Sequence, residues 1–432
     1  MNHNTFQLPA SYKKWTWGLI VAGLLAVLYG FIMYHPFTHP VHGEGAHGAA
    51  GHESVASTRF WAVLLQNSVY WLLTVNASMF FICVTTLAMG GWQVALRRVP
   101  EAISSVVPIL GLITFVILLA IVYGGRTDIY HWLDASLYDK SSEHFDKILN
   151  GKKGFLNPTF FIVWSALSIG LWSLLGAKLR SLSLKSDETG PMDIVQAKKW
   201  IDTNFTYASY YVVFFGLTVA STVPWLWLMS IDAHWYSTMY SWYTFASTFV
   251  SGLSLMAIFI IFLKNRGQLE YVTEEHLHDV GKFMFAFSVF WTYLWFSQYM
   301  LIWYSNQPEE TRYFVARLGT ATQAGPYKGI FFFNLIVNFL APLLILMRKG
   351  SKRNWTVVTF VGVLIIFGHW IDFYQMVMPG TLHENAELMP FEFGVACLFI
   401  GIIMWGVGRF FTKHSLIAKN HPFLKESMIH HT

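Results

Sequence analysis

The chain of 432 residues is 54% hydrophobic and 18% aromatic, and only 12% of its residues are charged. Soluble proteins carry about twice that charged fraction. The composition therefore excludes an ordinary soluble domain and predicts an all-α polytopic membrane protein. The net charge of +5 indicates the orientation of such a protein in its membrane rather than a nucleic-acid surface.

Ten apolar segments, taken in chain order, are each predicted to form a transmembrane helix. A bilayer core of about 30 Å needs about 20 apolar residues in a helix, and each segment approaches or exceeds that length. The whole chain, 1–432, is therefore expected to be a single integral membrane domain. The segments are 15–34, 60–89, 104–123, 159–177, 208–231, 240–263, 281–304, 329–347, 355–376 and 391–411.

Lysine and arginine predict the orientation, because they are enriched in cytoplasmic loops. Basic clusters such as Arg97 with Arg98, and Lys198 with Lys199, fall on the same side as the N-terminus. Both termini are therefore predicted to be cytoplasmic. The C-terminal ends of the third, fifth, seventh and ninth spans then face outward.

The first outer loop, 35–52, contains five histidines among glycine and alanine. Imidazole is a common metal ligand, but glycine preforms no geometry, so a flexible polar loop is the favoured interpretation and a metal site the alternative. The outer segment 124–158 is long and mixed in charge, which predicts a docking surface or a lid. The two cysteines, Cys83 and Cys397, lie in apolar runs and are expected to be buried hydrophobes.

The ninth span contains His369 and Asp372, three residues apart and so on one helical face. An ionised carboxylate in the middle of a bilayer costs about 3 kcal/mol or more, which makes a proton path including Tyr374 the functional interpretation. A structural hydrogen-bonded pair is the alternative. His369 is the one histidine well inside a span, so the chain cannot hold a bis-histidine haem. We predict that it binds no redox cofactor of its own.

The seventh span ends in an aromatic stripe followed by polar side chains. Aromatic rings with hydrogen-bonding groups at one depth suit a quinone headgroup, although such a stripe also serves packing or the interfacial belt. The candidate quinone-binding residues are Trp291, Gln298, Tyr299, Trp303, Asn306 and Glu309.

Protonatable side chains also lie at the outer ends of other spans. Asp128 follows the third span and Asp232 follows the fifth, and both are candidates for the proton path. The sixth span carries hydroxyl side chains at steps of three and four, from Ser237 to Ser251. These indicate close helix packing, with a hydrated proton route as the alternative.

Two stretches, "FSQYMLIWYSNQPEETRYF" (296–314) and "GHWIDFYQMVMPG" (368–380), closely resemble the ActF family. Its members are the second large NrfD/PsrC-like membrane subunits of bacterial alternative complex III, a quinol:cytochrome c oxidoreductase. The resemblance implies two four-helix bundles, 60–231 and 240–376, flanked by helices 15–34 and 391–411.

The same resemblance implies a multi-pass protein of the bacterial inner membrane that works in a respiratory complex. Its expected partners are an ActC-like sister membrane subunit, subunits carrying haem c and iron–sulfur clusters, lipids and a terminal oxidase. It also implies a proton-conducting path, which for this chain would include His369 and Asp372.

Two other classes of function are compatible with the sequence. A proton-coupled secondary transporter would suit ten spans, with Asp372 as its coupling site. Against it, the spans lack paired breaks, since Pro108, Pro224 and Pro342 occur singly. A pure assembly scaffold, with the polar residues joining helices, is the third interpretation.

Overall fold

A computed structural model describes residues 6–37, 49–188, 190–320, 322–385 and 387–431, with side chains from residue 55 onward in the second range. This part of the chain is helical and contains no strand, only an isolated β-bridge between Gly319 and Ala324. The α-helices are α1 (Ala10–Met33), α2 (Ala49–Leu87), α3 (Arg98–Ser104), α4 (Val107–Tyr123), α5 (Lys147–Lys152), α6 (Pro158–Glu188), α7 (Ile194–Leu217), α8 (Val223–Trp227), α9 (Met239–Lys264), α10 (Glu274–Ser305), α11 (Pro308–Leu318), α12 (Lys328–Leu335), α13 (Ala341–Leu346), α14 (Lys349–Arg353), α15 (Trp355–Thr381), α16 (Pro390–Lys413) and α17 (Leu424–Met428).

Nine helical segments in the described ranges are long and apolar enough to cross a membrane. The prediction of an all-helical, multi-pass membrane protein is confirmed to that extent. Nine of the ten predicted spans overlap these segments. The remaining span, 281–304, lies in α10, which is a helix of 32 residues but less apolar, because tryptophan and tyrosine carry polar N–H and O–H groups. Ten spans, their orientation and the two bundles stay predictions.

Two helices are interrupted by short π-helical segments, Thr218–Thr222 between α7 and α8 and Ile336–Leu340 between α12 and α13. The sequence predicted no such breaks. Pro224 and Pro342 follow as the second residues of α8 and α13, and a proline ring removes an N–H donor and crowds the preceding turn. Local widening of the helix accommodates that crowding. Such π segments occur frequently at functional sites.

Helix α9 lies at the centre of the molecule, with 89% of the residues in its most apolar stretch buried. It packs against α2, α10 and α15, whereas α1 packs mainly on α16 at the periphery. Gly252 of α9 allows close approach to α2, because a Cβ there would lie 2.9 Å from the carbonyl oxygen of Thr74. The hydroxyls of Thr244, Thr248 and Ser251 bond to carbonyls one turn earlier in α9, as expected for hydroxyls that serve packing.

Helix α10 ends at Ser305, and the next residue, Asn306, takes the left-handed conformation with φ of 47°. Asparagine tolerates this conformation better than most residues. The chain then turns directly into α11, which folds back so that Phe314 contacts the ring of Tyr299. This turn places the buried side chain of Arg317, near the end of α11, close to α15.

A cluster of buried ions joins α3 to the end of α6, and we call it the arginine–carboxylate cluster. Glu101 accepts from Arg97 at 2.9 Å and from Arg98 at 2.5 Å. Arg98 also bonds to Asp187 at 2.5 Å. Two arginines therefore face two carboxylates, and the formal charges cancel.

The C-terminal tail packs against the same end of the molecule. Ser427 of α17 accepts from the backbone N–H of Ala95 and donates to the carbonyl of Trp92. The ring of His421 is buried 3.4 Å from the guanidinium of Arg97. Burial, together with the charges of Arg97 and Arg98, lowers the pKa of His421 well below its usual value, so this histidine is neutral when the tail is docked.

Candidate functional site

Asp372 of α15 is buried and accepts hydrogen bonds on both carboxylate oxygens. Its Oδ1 accepts from the hydroxyl of Tyr243 and from Asn334 Nδ2, the latter at 2.8 Å. Its Oδ2 accepts from Ser247 Oγ at 2.9 Å and from Trp291 Nε1 at 3.1 Å. These four donors come from α9, α10 and α12, and all of them are neutral groups.

His369 lies one turn before Asp372, and Ser247 stands between the two side chains. The nearest atoms of the pair, His369 Nδ1 and Asp372 Oδ2, are 3.6 Å apart, whereas Ser247 Oγ lies 2.8 Å from Nδ1. The other ring nitrogen of His369, Nε2, is buried and has no hydrogen-bond partner in the described part of the chain. A hydroxyl both donates and accepts, so Ser247 can bond to either neighbour in either direction.

The local sequence explains why these groups meet. Tyr243 and Ser247 are four residues apart on α9, so they share one face. Asn334 precedes the π segment that carries Asn338, which donates to Asn334 Oδ1. The segment reaches α15 because residue 368 is glycine: a Cβ there would lie only 2.1 Å from Asn338 Oδ1. Glycine therefore permits the approach that brings Asn334 to Asp372.

A cavity of about 730 Å³ opens beside the predicted outer ends of the third, fifth and ninth spans and beside α11, which follows the seventh. We call it the outer cavity. Asp128 lines it and bonds to Arg126 at 2.5 Å and to Thr58 at 2.7 Å. Asp232 also lines it and pairs with Arg312 at 3.2 Å. The structure thus brings these two predicted proton-path residues together at one cavity.

A second, much smaller cavity of about 20 Å³ lies beside Asp372, and we call it the inner cavity. Asp372, Tyr243 and Gln298 line it. Its wall shares Tyr313, Arg317 and Met376 with the outer cavity. These three side chains form the partition between the outer cavity and the buried carboxylate.

The other predicted residues lie at varied distances from this centre. Tyr374 is buried, but its hydroxyl bonds to the carbonyl of Glu387 at 3.3 Å rather than to Asp372. Among the quinone candidates, Trp291 bonds to Asp372 and Gln298 lines the inner cavity. Tyr299 stacks along the stripe, 6.2 Å from Trp295.

The three remaining quinone candidates face outward, since Trp303 is 66% exposed and Asn306 and Glu309 are also exposed. The six candidates therefore do not line one common cavity. The inner cavity, at about 20 Å³, is far smaller than the roughly 300 Å³ or more that ligand pockets provide. Quinone binding by these residues stays a prediction.

Sequence reasoning missed several residues of the site, namely Tyr243, Ser247, Asn334, Asn338 and Arg317. The sequence contains a pattern that could have identified four of them. Two asparagines four residues apart in the apolar eighth span cost free energy when buried, unless they face a polar partner. The pair Tyr243 and Ser247 repeats the same spacing in the sixth span. Nothing in the sequence marked Arg317, because the turn after α10 decides where its side chain goes.

Searches of protein-family models and of curated proteins find no match for the chain. Most of the histidine-rich loop 35–52 lies outside the described residues. The alternative prediction of a metal site there therefore stays a prediction. Within the described ranges, no three or more His, Cys, Asp or Glu side chains form a group that could hold a metal ion. Both cysteines are free.

Proposed function

We propose that the chain is a membrane subunit of a respiratory quinol:cytochrome c oxidoreductase of the alternative complex III type, located in the bacterial inner membrane. It would join an ActC-like subunit and partners that carry haem c and iron–sulfur clusters, and act as a scaffold with a proton path. Support for the family comes from the motifs at 296–314 and 368–380. Support for the proton path comes from Asp372, a buried carboxylate held by neutral donors alone.

The proposed proton step uses only side chains of this chain. A proton that reaches Asp372 Oδ2 turns this oxygen from an acceptor into a donor toward Ser247 Oγ. The serine hydroxyl, which bonds to Asp372 in the ionised state, then turns to donate to His369 Nδ1, 2.8 Å away. The hydrogen-bond network can therefore hold either protonation state, which a relay requires.

The test is Asp372→Asn in the assembled complex. The asparagine matches the size of aspartate and does not titrate, so the complex should assemble with normal haem content and lose proton translocation or quinol turnover. Glu143→Gln, which neutralises an exposed carboxylate of the segment 124–158, is the control and should behave like the parent. An asparagine variant that turns over and moves protons normally would show that the pair is structural.

Two features of the fold support the competing proposal, a proton-coupled transporter. Discontinuous helices are typical of transporters, and the π segments interrupt two of the spans here. The outer cavity of about 730 Å³ is large enough for a small substrate. Purification separates the two proposals, since co-isolation with haem c and iron–sulfur proteins supports the respiratory subunit and isolation alone supports the transporter.

A further inference from the structure

Arg317 is a buried cation that forms no direct ion pair within the described part of the chain. Its side chain is 5% exposed and forms no ion pair with any carboxylate of the described residues. Its guanidinium donates to the backbone carbonyls of Tyr313 and Gln375, each at 2.7 Å, and its Nε has no partner in the same part of the chain. A buried charge without a counter-charge is costly, so this arginine requires a partner.

The position of Arg317 is fixed by aromatic stacking. Its guanidinium carbon lies 3.4 Å from the centre of the Tyr313 ring, and that ring stacks on Trp235 at 4.2 Å. A guanidinium over an aromatic face is attracted by the ring. The stack therefore holds the charge in the partition between the outer and inner cavities.

The inner cavity joins Arg317 to Asp372. Both side chains line it, and its volume of about 20 Å³ exceeds the roughly 10–15 Å³ that one water molecule needs. A water there would also have polar neighbours in Gln298 and Gln375, and buried waters typically make about three hydrogen bonds. The site is polar and large enough for a single water.

We propose that this cavity holds a water molecule that bridges Arg317 to Asp372. Arg317 is then the counter-charge that keeps Asp372 ionised. Its side chain also stands between Asp372 and the outer cavity. The inference deepens the proposed proton role of Asp372 and rests on it. The other titratable groups around Asp372 are His369, Tyr243 and Tyr313, with Tyr240 next to Tyr243 and Tyr70 of α2 on a further side. Arg317 is the one permanent cation among these neighbours.

The test is an infrared titration of the purified protein in lipid nanodiscs. The carbonyl stretch of the protonated Asp372 carboxyl is assigned by its loss in Asp372→Asn, and its amplitude is followed against pH. In Arg317→Gln, which keeps N–H donors for the Gln375 carbonyl, this band should persist to higher pH by about one to three units, the usual effect of removing one close opposite charge. Arg317→Lys, which restores a cation, should bring the midpoint back toward that of the parent.

Arg312→Gln is the matched control. It removes the same charge from the outer cavity, but Arg312 pairs with Asp232 and does not line the inner cavity, so the midpoint should stay within about half a unit of the parent. An equal shift in both glutamine variants, or no shift in Arg317→Gln, overturns the inference.

A second measurement tests the water itself. A band of a strongly hydrogen-bonded water, identified by its shift in H₂¹⁸O, should be present in the parent and lost in both Asp372→Asn and Arg317→Gln. A band retained in both variants contradicts the bridge. If Asp372 titrates but Arg317→Gln does not move it, the inference alone fails. If no Asp372 band titrates between pH 4 and 10, the proposed proton function fails with it.

Discussion

Two regions of the molecule bury carboxylates in opposite ways. In the arginine–carboxylate cluster, Glu101 and Asp187 face Arg97 and Arg98, so every charge has an opposite charge within 2.9 Å. At the site in α15, Asp372 is held by neutral donors, and its nearest ionisable neighbours are Tyr243, which bonds to it, and His369 at 3.6 Å. Both sites are buried, except for Asp187, whose side chain is 15% exposed.

The difference separates structural carboxylates from carboxylates that can change protonation state. A carboxylate between two fixed cations stays ionised, because protonation would leave both cations unpaired. A carboxylate among hydroxyl, indole and amide donors loses less on protonation, especially where Ser247 can reverse its hydrogen bond. We therefore expect the cluster to control stability and the Asp372 site to control function.

The largest expected effect is that of Glu101→Gln. The substitution leaves two buried arginines with one carboxylate, and breaking a buried ion pair costs about 3–5 kcal/mol. We expect failure to accumulate, or a greatly lowered melting temperature in detergent. Asp187→Asn, at the partly exposed edge of the cluster, should lower it less. Equal melting temperatures for Glu101→Gln and the parent would contradict the claim that the arginine–carboxylate cluster controls stability.

Asp372→Leu should come next in size. Leucine has a similar volume but accepts no hydrogen bonds, so Tyr243, Trp291 and Asn334 each lose their acceptor. At about 1–3 kcal/mol for each buried unsatisfied group, the destabilisation should reach about 3 kcal/mol or more. Asp372→Asn keeps one carbonyl oxygen and donates to Ser247, which leaves the Trp291 N–H and the second N–H of the new amide unsatisfied. Thermal unfolding should therefore rank leucine below asparagine, and the reverse order would contradict the assigned bonds.

Gly368→Ala sharpens the comparison by disturbing the Asp372 site without removing any of its polar groups. The new Cβ would lie 2.1 Å from Asn338 Oδ1, which forces the π segment at Ile336–Leu340 away from α15 at a cost of about 1–3 kcal/mol. We expect a lower melting temperature and reduced function together. Gly170→Ala in α6, where nothing lies within 4 Å of the added carbon, should leave both unchanged. Identical behaviour of the two alanine variants would exclude this close approach.

The smallest expected effect is a pH-dependent release of the C-terminal tail. The pKa of His421 is lowered in the docked state, so docking requires the neutral ring and is stabilised above the free histidine value of about 6.5. That stabilisation is lost as the pH falls below this value toward the lowered pKa. Proteolysis of the tail should therefore be faster at pH 5.5 than at pH 7.5. His421→Asn should reduce the difference without abolishing it, because the pKa of His276, which contacts Ser427 of the tail, is also lowered, to about 4. Equal rates in the parent would contradict the assignment.

Much of the fold follows from apolar segment lengths, because each predicted span overlaps one helix or two helices joined by a π segment. His369 and Asp372 could also be identified from the sequence. Two ionisable groups on one face of an apolar helix cost free energy to bury, so their presence indicates a role. The sequence could not supply their donors, which come from α9, α10 and α12 and depend on packing between distant segments. The π segments were not predicted, because a single proline in a span does not determine whether the helix kinks, ends or widens at that point.

The π segment at Ile336–Leu340 makes the site sensitive to the number of residues in this helix. One residue inserted into an α-helix can be accommodated as a π segment, and the helical turns before and after it keep their positions. Deleting one residue there, Val337 for example, would restore ordinary winding and rotate Asn334 by about 100° relative to α13. The carboxamide would then point away from Asp372. The spacing of eight residues between Asn334 and Pro342 is therefore as much a part of the site as the asparagine itself.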